Sequence, residues 1–380
     1  MTKNLSVCMI SCWYHNVSMA NHSENLINAL MRKDVSVQVV TSHCVCKHLY
    51  RDSPSFFHGK CSLVTTPFDS YGDEPDRSRI QGLFYFASRI PLGWRYAKQC
   101  RDSDIIHYQQ SASWSFGELP LLTLLTQTKV PHKVVTIHSL GPSLGPRLRL
   151  LHRVYHYADA VIVHSEQQKD RMIQVGIPKD KLHVVFHGGH QVSLRGLART
   201  RVTFFGSPEE DKGFFTLLKA LRILRDEGIM INLEIYGIFR EGAEQKAKDE
   251  ARRNSVEDQI QWHGRVSESE FDEKMQESIF TFAIYTEPVW GSAIITRAMM
   301  NGTPVIATPI GGSSEYLSDT GTYVPPSDPS ALASAIRSLF ENSRLREDLG
   351  KKARQRALQY LSWDAIAEQT IRIYQSVIDT

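Results

Sequence analysis

Two segments of the chain carry residue types suited to an anion. After an apolar run at 202–205 come Gly206, Ser207 and Pro208, then Glu209, Glu210, Asp211, Lys212 and Gly213 at the start of a helical pattern. A strand, a glycine-containing turn and a lysine at a helix start can hold phosphate. The free N–H groups and the helix dipole favour negative charge, and Lys212 adds a full positive one. A lysine beside acidic neighbours at an ordinary helix start explains the same segment equally well.

The second segment follows an apolar run ending at Ile284. Tyr285, Thr286, Glu287, Pro288, Val289, Trp290, Gly291 and Ser292 lead into a helical pattern containing Ile294, Ile295, Arg297 and Met299. Gly291 and Ser292 offer backbone donors to anionic oxygen, and the Glu287 carboxylate accepts hydrogen bonds from sugar hydroxyls. Asn301 and Gly302 stop that helix, a strand at 304–307 follows, and Gly311 to Glu315 read as a flexible turn.

Other clusters are weaker. His43, Cys44, Cys46 and His48 are soft ligands packed too closely for a closed zinc site, so a loop that happens to hold thiols is the simpler reading and no metal is expected there. His138 by itself reads as a strand-end histidine, and His187 and His190 flank Gly188-Gly189 as hinge or cleft-lining residues. Arg77, Arg79, Arg89, Arg95, Lys98 and Arg101 alternate with aromatics, and Arg147, Arg149 and Arg153 lie on a leucine-rich stretch. Segments 77–101 and 147–153 suit an anionic membrane surface or an anionic acceptor, or form a solvated basic face. Two common nucleotide loops are missing. The first turn, 11–16, has no glycine for a dinucleotide fingerprint, and no Walker A lysine loop occurs.

The elements that must position these residues alternate. Strands are expected at 5–10, 35–41, 105–108, 133–138, 160–164 and 183–186, with helices at 22–33, 81–101, 117–128, 147–157 and 166–175. The rhythm restarts with strands at 202–205, 232–236, 260–263, 279–284, 304–307 and 322–324 and helices at 213–226, 243–254, 268–276 and 292–301. Three helices close the chain at 331–342, 343–361 and 363–378. Continuous apolar strands between helices imply parallel sheets covered on both faces. The polar, glycine-containing stretch 188–201 leaves little to pack and marks the boundary. The expected fold is therefore α/β: two doubly wound, Rossmann-like domains facing a cleft, with ligands at the carboxyl ends of the strands. The domains are 1–190, with 362–380 returning to it, and 191–361.

Composition fits that size. The 380 residues are 42% hydrophobic and 22% charged, which excludes a disordered or fibrous chain. A net charge of +3 gives no reason to expect nucleic acid as a partner. All six cysteines fall in the first hundred residues without regular spacing, which reads as reduced cytosolic thiols. No apolar run reaches eighteen residues, and the N-terminal run reads as a buried strand rather than a signal peptide. The expected location is the cytoplasm, with peripheral contact at the inner face of the membrane.

In order along almost the whole chain, the motifs resemble those of the retaining, nucleotide-sugar-dependent glycosyltransferases of GT-B fold, family 4. The resemblance runs through Val134 to His138, Asp159 to Ser165, the Gly206–Gly213 loop, His263 to Val266, Glu287-Pro288, Ala298-Met299, Gly302 to Thr308, Gly311-Gly312 and the ending from Ser362 to Tyr374. It implies that Lys212 binds the diphosphate, that Glu287 holds donor-sugar hydroxyls, that His138 lies over the transferred sugar, and that Gly206, Gly291 and Ser292 sit near the phosphates. It also implies that the last helix crosses back onto the first domain. Three positions depart from the pattern. Ser207 stands where the family has an arginine, and Arg297 stands where it has a ribose-binding glutamate, ten residues after Glu287 rather than eight. Ser18 to His22 replace a glycine-rich loop. Ribose recognition must then differ, or Arg297 itself neutralises phosphate.

The function implied is transfer of a sugar from a nucleotide-diphosphate donor, with a UDP-sugar as the first guess, to a hydroxyl of a glycan, lipid-linked or small-molecule acceptor, with retained configuration. Alternatives are a sugar phosphorylase or nucleotide-sugar epimerase on the same fold, or a catalytically degenerate binding subunit. No cofactor is expected. No suitably placed Asp-x-Asp pair suggests a need for a divalent metal.

Overall fold

The computed structural model describes residues 5–11, 17–42, 60–64, 91–110, 124–126, 132–138 and 153–380. The stretches expected to be helical at 81–90, 117–123, 127–128 and 147–152, the His43–His48 cluster and most of the basic segment 77–101 lie outside them. The chain forms two compact units, residues 1–185 with 363–380, and 186–362.

In the first unit seven strands form one sheet in the order β3-β2-β1-β4-β5-β6-β7, every neighbouring pair parallel. They are β1 (Ser6–Ser11), β2 (Ser36–Ser42), β3 (Lys60–Val64), β4 (Ile105–Gln110), β5 (His132–Ile137), β6 (Ala160–Val163) and β7 (Leu182–Val184). The central strands are buried along most of their length, as in Val7, Cys8, Met9 and Ile10 of β1 and all six residues of β4. Burial on both faces is what their continuous hydrophobicity demands. The described helices are α1 (Val17–Arg32), α2 (Leu92–Gln99), α3 (Glu166–Gln174) and α11 (Trp363–Ile378). Helix α11 is held to α1 by Arg32–Asp364 and Lys33–Glu368 ion pairs, 2.7 and 2.6 Å. Both are exposed pairs that register the helices more than they stabilise them.

The second unit repeats the plan with six parallel strands in the order β10-β9-β8-β11-β12-β13. These are β8 (Arg201–Phe205), β9 (Leu233–Tyr236), β10 (Ile260–Gly264), β11 (Ser278–Ala283), β12 (Val305–Ala307) and β13 (Thr322–Tyr323). Its helices are α4 (Phe214–Asp226), α5 (Ala243–Arg253), α6 (Glu268–Glu277), α7 (Ala293–Met300), α8 (Ser313–Leu317), α9 (Pro329–Glu341) and α10 (Ser343–Tyr360). Their starts follow local chemistry. Ser267 and Glu270 form a capping box at α6, Asp328 caps α9 with Pro329 in its first turn, and Asn342 caps α10. Buried faces of α4 and α9 (Leu217, Leu221, Leu332, Ile336) pack with Val202, Phe204 and Phe280 into one core.

Three expectations need correction. Cys8 of β1 and Cys100, just past α2, form a disulfide with Cα atoms 5.4 Å apart. The adjacency of β1 and β4 brings the segment before β4 against β1, which sequence spacing alone does not reveal, so these two are not reduced thiols. The stretch 188–201 holds no buried residue from His190 to Thr200, as its composition leads one to expect, but hydrogen bonds tie it down. Arg199 donates to the carbonyls of Ser278, Asn301 and Gly302 and to Thr303. Ser18 to His22 belong to α1 rather than to a loop, because nothing from Val17 to Arg32 breaks a helix. The turn expected at Gly311–Glu315 holds the start of a short helix, α8.

Candidate active site

In each sheet the strand order reverses between the first strand of the unit and the strand beside it: between β1 and β4, and between β8 and β11. Open parallel sheets bind ligands outside the carboxyl ends of the strands at such points. In the second unit the loops leaving β8 and β11 are the two anion-suited segments.

These loops are joined by backbone. The Thr286 N–H donates to the Asp211 carbonyl at 3.1 Å, and Thr286 Oγ1 donates to the Glu210 carbonyl at 3.3 Å. Gly213 opens α4 in the left-handed conformation (φ 72°), and a Cβ there would lie 2.0 Å from the Ile284 carbonyl oxygen. Only glycine permits that approach. It sets Lys212 against the β11 end, where its ammonium lies 5.4 Å from the Tyr285 ring centroid and 3.1 Å from Asp211 Oδ2.

Tyr285 is the joint of the site. Its hydroxyl is 2.8 Å from Ser292 Oγ, and burial pushes its pKa up, so the phenol keeps its proton. Ser292 also caps α7, accepting from the Ile295 N–H at 3.2 Å. Lys212 and the α7 N-terminus thus meet on one ring. The connecting loop is braced from the other side. The Gly312 N–H donates to the Val289 carbonyl at 2.8 Å, and a Cβ at Gly311 would lie 2.4 Å from that same oxygen. Ser292→Ala should lower stability by about 2 kcal/mol, through loss of the cap and of the buried phenol's partner. Urea unfolding of the second unit measures this, and a change within experimental error would contradict it.

The structure places the other expected residues as follows. Glu287 is exposed beyond β11, and Gly291 is half-buried just ahead of the cap. Gly206 adopts φ 128° and donates its N–H to the Tyr236 carbonyl at the end of β9 (2.8 Å). Ser207 accepts from the backbone N–H of Arg240 at 3.2 Å. Arg297 is not brought into this group. Its guanidinium stacks 3.8 Å from the Phe271 ring centroid and pairs with Asp272 at 3.0 Å and Glu268 at 2.8 Å, both on α6. A cation so engaged has its charge already balanced. The 480 Å³ hollow beside the 206–213 loop is lined by Glu209, Glu210, Asp211 and Glu241 against Lys246, the wrong balance for a diphosphate.

Sequence reasoning missed Tyr285 as the joint, and it missed Arg240. The Arg240 guanidinium pairs with Glu209 at 3.3 Å, on a side chain 70% exposed, and its backbone touches Ser207. Its backbone N–H thus reaches the residue that stands where the family's arginine is lacking. Its signal was faint: an arginine three residues after the glycine that ends β9.

In the first unit His138 follows β5 directly. Its Nε2 is 2.7 Å from Gln109 Oε1 and its Nδ1 is 3.0 Å from His164 Nε2. His22 of α1 stands edge-on to it, ring centroids 4.6 Å apart. His187 belongs to the second unit, where its N–H donates to the Tyr316 hydroxyl. Among the described residues no helix is long and apolar enough to cross a membrane.

Two Rossmann-like units, one with a phosphate-suited junction at its switch point, fit the GT-B plan. Residues 19–189 match Glycosyltransferase Family 4 and residues 190–356 match Glycosyl transferases group 1, so the chain belongs to the family 4-like GT-B glycosyltransferases. It is 32% identical over 85 residues to an MMP α-(1→4)-mannosyltransferase of Mycolicibacterium hassiacum, covering 22% of this chain and 21% of that one. It is 25% identical over 292 residues to a glycogen synthase of Mycobacterium tuberculosis, covering 71% and 68%. A phosphatidyl-myo-inositol mannosyltransferase of Mycobacterium leprae is 28% identical over 183 residues, 46% of each chain. The matched stretches thus span from about a fifth to about two thirds of these relatives. Among solved structures, Anabaena HepE in complex with UDP aligns with a TM-score of 0.75 at 16% identity, covering 98% of this chain and 100% of that one. A sucrose-phosphate synthase from Thermosynechococcus elongatus aligns at 0.77 with 18% identity, covering 99% and 100%. At these identities the likeness is one of fold.

Proposed function

We propose that the chain is a retaining glycosyltransferase that takes a sugar from a nucleotide diphosphate, a UDP-sugar first among donors, and joins it to a hydroxyl of a glycan, lipid-linked or small-molecule acceptor. The observation that carries this is the meeting of Lys212 and the capped α7 N-terminus on Tyr285. A diphosphate lying there gains an ammonium and the N–H groups at the helix start. Both act most strongly as the glycosidic bond breaks and charge builds on the departing phosphate. The acceptor oxygen bonds to the anomeric carbon while the phosphate oxygen leaves with the bonding pair and takes the acceptor's proton. No strong protein base is then needed, and no divalent metal is required for transfer. Glu287 holds donor-sugar hydroxyls and His138 lies over the transferred sugar, as the resemblance implies. Arg240 supplies the second cation, and Arg297 holds α6 to α7.

The UDP complex of HepE and the sugar transfers named for the mycobacterial relatives support this reading. Segments 77–101 and 147–153 are proposed to meet an anionic membrane surface from the cytoplasmic side.

Isothermal titration of nucleoside diphosphates, followed by assay of sugar release from the one that binds, tests the proposal. Tight binding of a diphosphate with sugar transfer supports it. Failure of every nucleotide to bind would replace it with the degenerate-subunit reading. Glu287→Ala should lower turnover by at least about tenfold, the worth of a charged hydrogen bond made to the sugar, with diphosphate affinity unchanged. Unaltered turnover removes Glu287 from the sugar.

A further inference from the structure

At the carboxyl end of the first unit's sheet, three histidines from three elements converge: His22 from α1, His138 after β5 and His164 after β6. One nitrogen of each lies within 4.8 Å of the others. The hydrogen bonds behind them decide what these nitrogens carry. His164 Nδ1 is 2.8 Å from the Val185 carbonyl, and a carbonyl only accepts, so that nitrogen bears the proton and Nε2 bears the lone pair. His138 Nε2 faces the Gln109 side-chain amide. The other end of that amide lies 3.3 Å from Met9 Sδ, and a thioether accepts but never donates. In the structure the amide nitrogen faces Met9 and the oxygen faces His138 Nε2, so that nitrogen donates to it.

The same orientation of Gln109 sets the tautomer of His107. It is wholly buried and burial pushes it down to about 3, so it is neutral. Its Nε2 receives the Gln109 amide at 3.2 Å and the Thr136 hydroxyl at 2.7 Å, and its Nδ1 donates to the Tyr374 hydroxyl at 2.6 Å. With both outward nitrogens donating, His138 Nδ1 and His164 Nε2 meet at 3.0 Å as two lone pairs. That arrangement requires a cation between them.

We propose that His22, His138 and His164 bind a divalent transition-metal ion of the zinc class. Imidazoles whose far nitrogens donate to fixed carbonyl oxygens are what such ions select, because the outer hydrogen bond orients the ring and raises its basicity. Zinc–nitrogen bonds of about 2.0–2.1 Å place tetrahedral ligands roughly 3.3 Å apart. The His138–His164 pair must open by only a few tenths of an ångström, and the His22 ring, on a helix side chain, swings in. Three protein ligands leave the fourth position for water or an anionic group. The alternative cation is a shared proton.

The test uses the full chain titrated with Co(II), read by visible absorption, and with Zn(II) in competition with a chelator. The expected result is one tetrahedral Co(II) per chain, without the near-ultraviolet band of cobalt thiolate, displaced by Zn(II). His164→Asn keeps a donor for Val185, and His22→Phe keeps the ring volume. Each should weaken binding by at least about tenfold, while His156→Gln, remote on an exposed turn, leaves it unchanged. Circular dichroism confirms that each variant is folded. Absence of stoichiometric metal, a thiolate band, or full affinity in both variants overturns the proposal, and the first result assigns the space to the proton. The readout is the metal itself, so it is independent of donor chemistry.

Discussion

Lys212→Ala is expected to weaken a nucleoside diphosphate by roughly tenfold to a hundredfold, the range of one charge-assisted hydrogen bond to an ion, and to leave the bare nucleoside unaffected. The asymmetry matters more than the size. Among the described residues Lys212 meets the Tyr285 ring and Asp211, so removing it takes a charge from the phosphate position and little packing from the core. The Asp211 pair is a partly exposed one and contributes little to stability. Thermal unfolding should therefore move far less than affinity. Raised salt should narrow the gap between wild type and variant as the Coulombic part is screened. Calorimetric titration with the diphosphate and the nucleoside side by side measures both. Equal losses for the two ligands would take Lys212 away from the phosphate.

The parts of the molecule legible in the sequence are those decided by local rules. Strands β1, β4, β8 and β11 announce themselves as apolar runs because they are buried on both faces. Helices α6, α9 and α10 show through their periodicity, and the structure caps them with Ser267, Asp328 and Asn342. Strand β3 escaped because Lys60–Val64 lies at the sheet edge, where polar residues are tolerated in the run. Lys212, Ser292 and Glu287 could be picked out because glycine-bearing loops before helices have a short-range signature.

What joins them could not be read. The Tyr285 bridge depends on a tertiary approach, and so does the turning of Arg297 toward Asp272 and Phe271. A helical arginine can point to either neighbour, and nothing in its own segment reveals that α6 offers two carboxylates. The histidine cluster is of the same kind. His22 lies more than a hundred residues before both His138 and His164, and the three come together because β5 and β6 are neighbours and α1 follows β1.

Gly213→Ala should cost the second unit about 3–5 kcal/mol, near the upper end for a single substitution. Two penalties add. The left-handed backbone at φ 72° disfavours any Cβ by about 1–2 kcal/mol, and here the new methyl would also stand 2.0 Å from the Ile284 carbonyl oxygen. That oxygen belongs to the backbone at the end of β11 and cannot rotate away, so relief comes only by lifting the 206–213 loop from the strand. Gly228→Ala is the control. Gly228 has φ 82° with open space around its Cβ position, so it pays the first penalty alone. Denaturant unfolding of the two variants should differ by at least about 2 kcal/mol. Lifting the loop also carries Lys212 away from Tyr285, so Gly213→Ala at temperatures where it stays folded should bind diphosphate as weakly as Lys212→Ala. If the two glycine variants unfold alike, the close approach of loop and strand is not what holds the lysine in place.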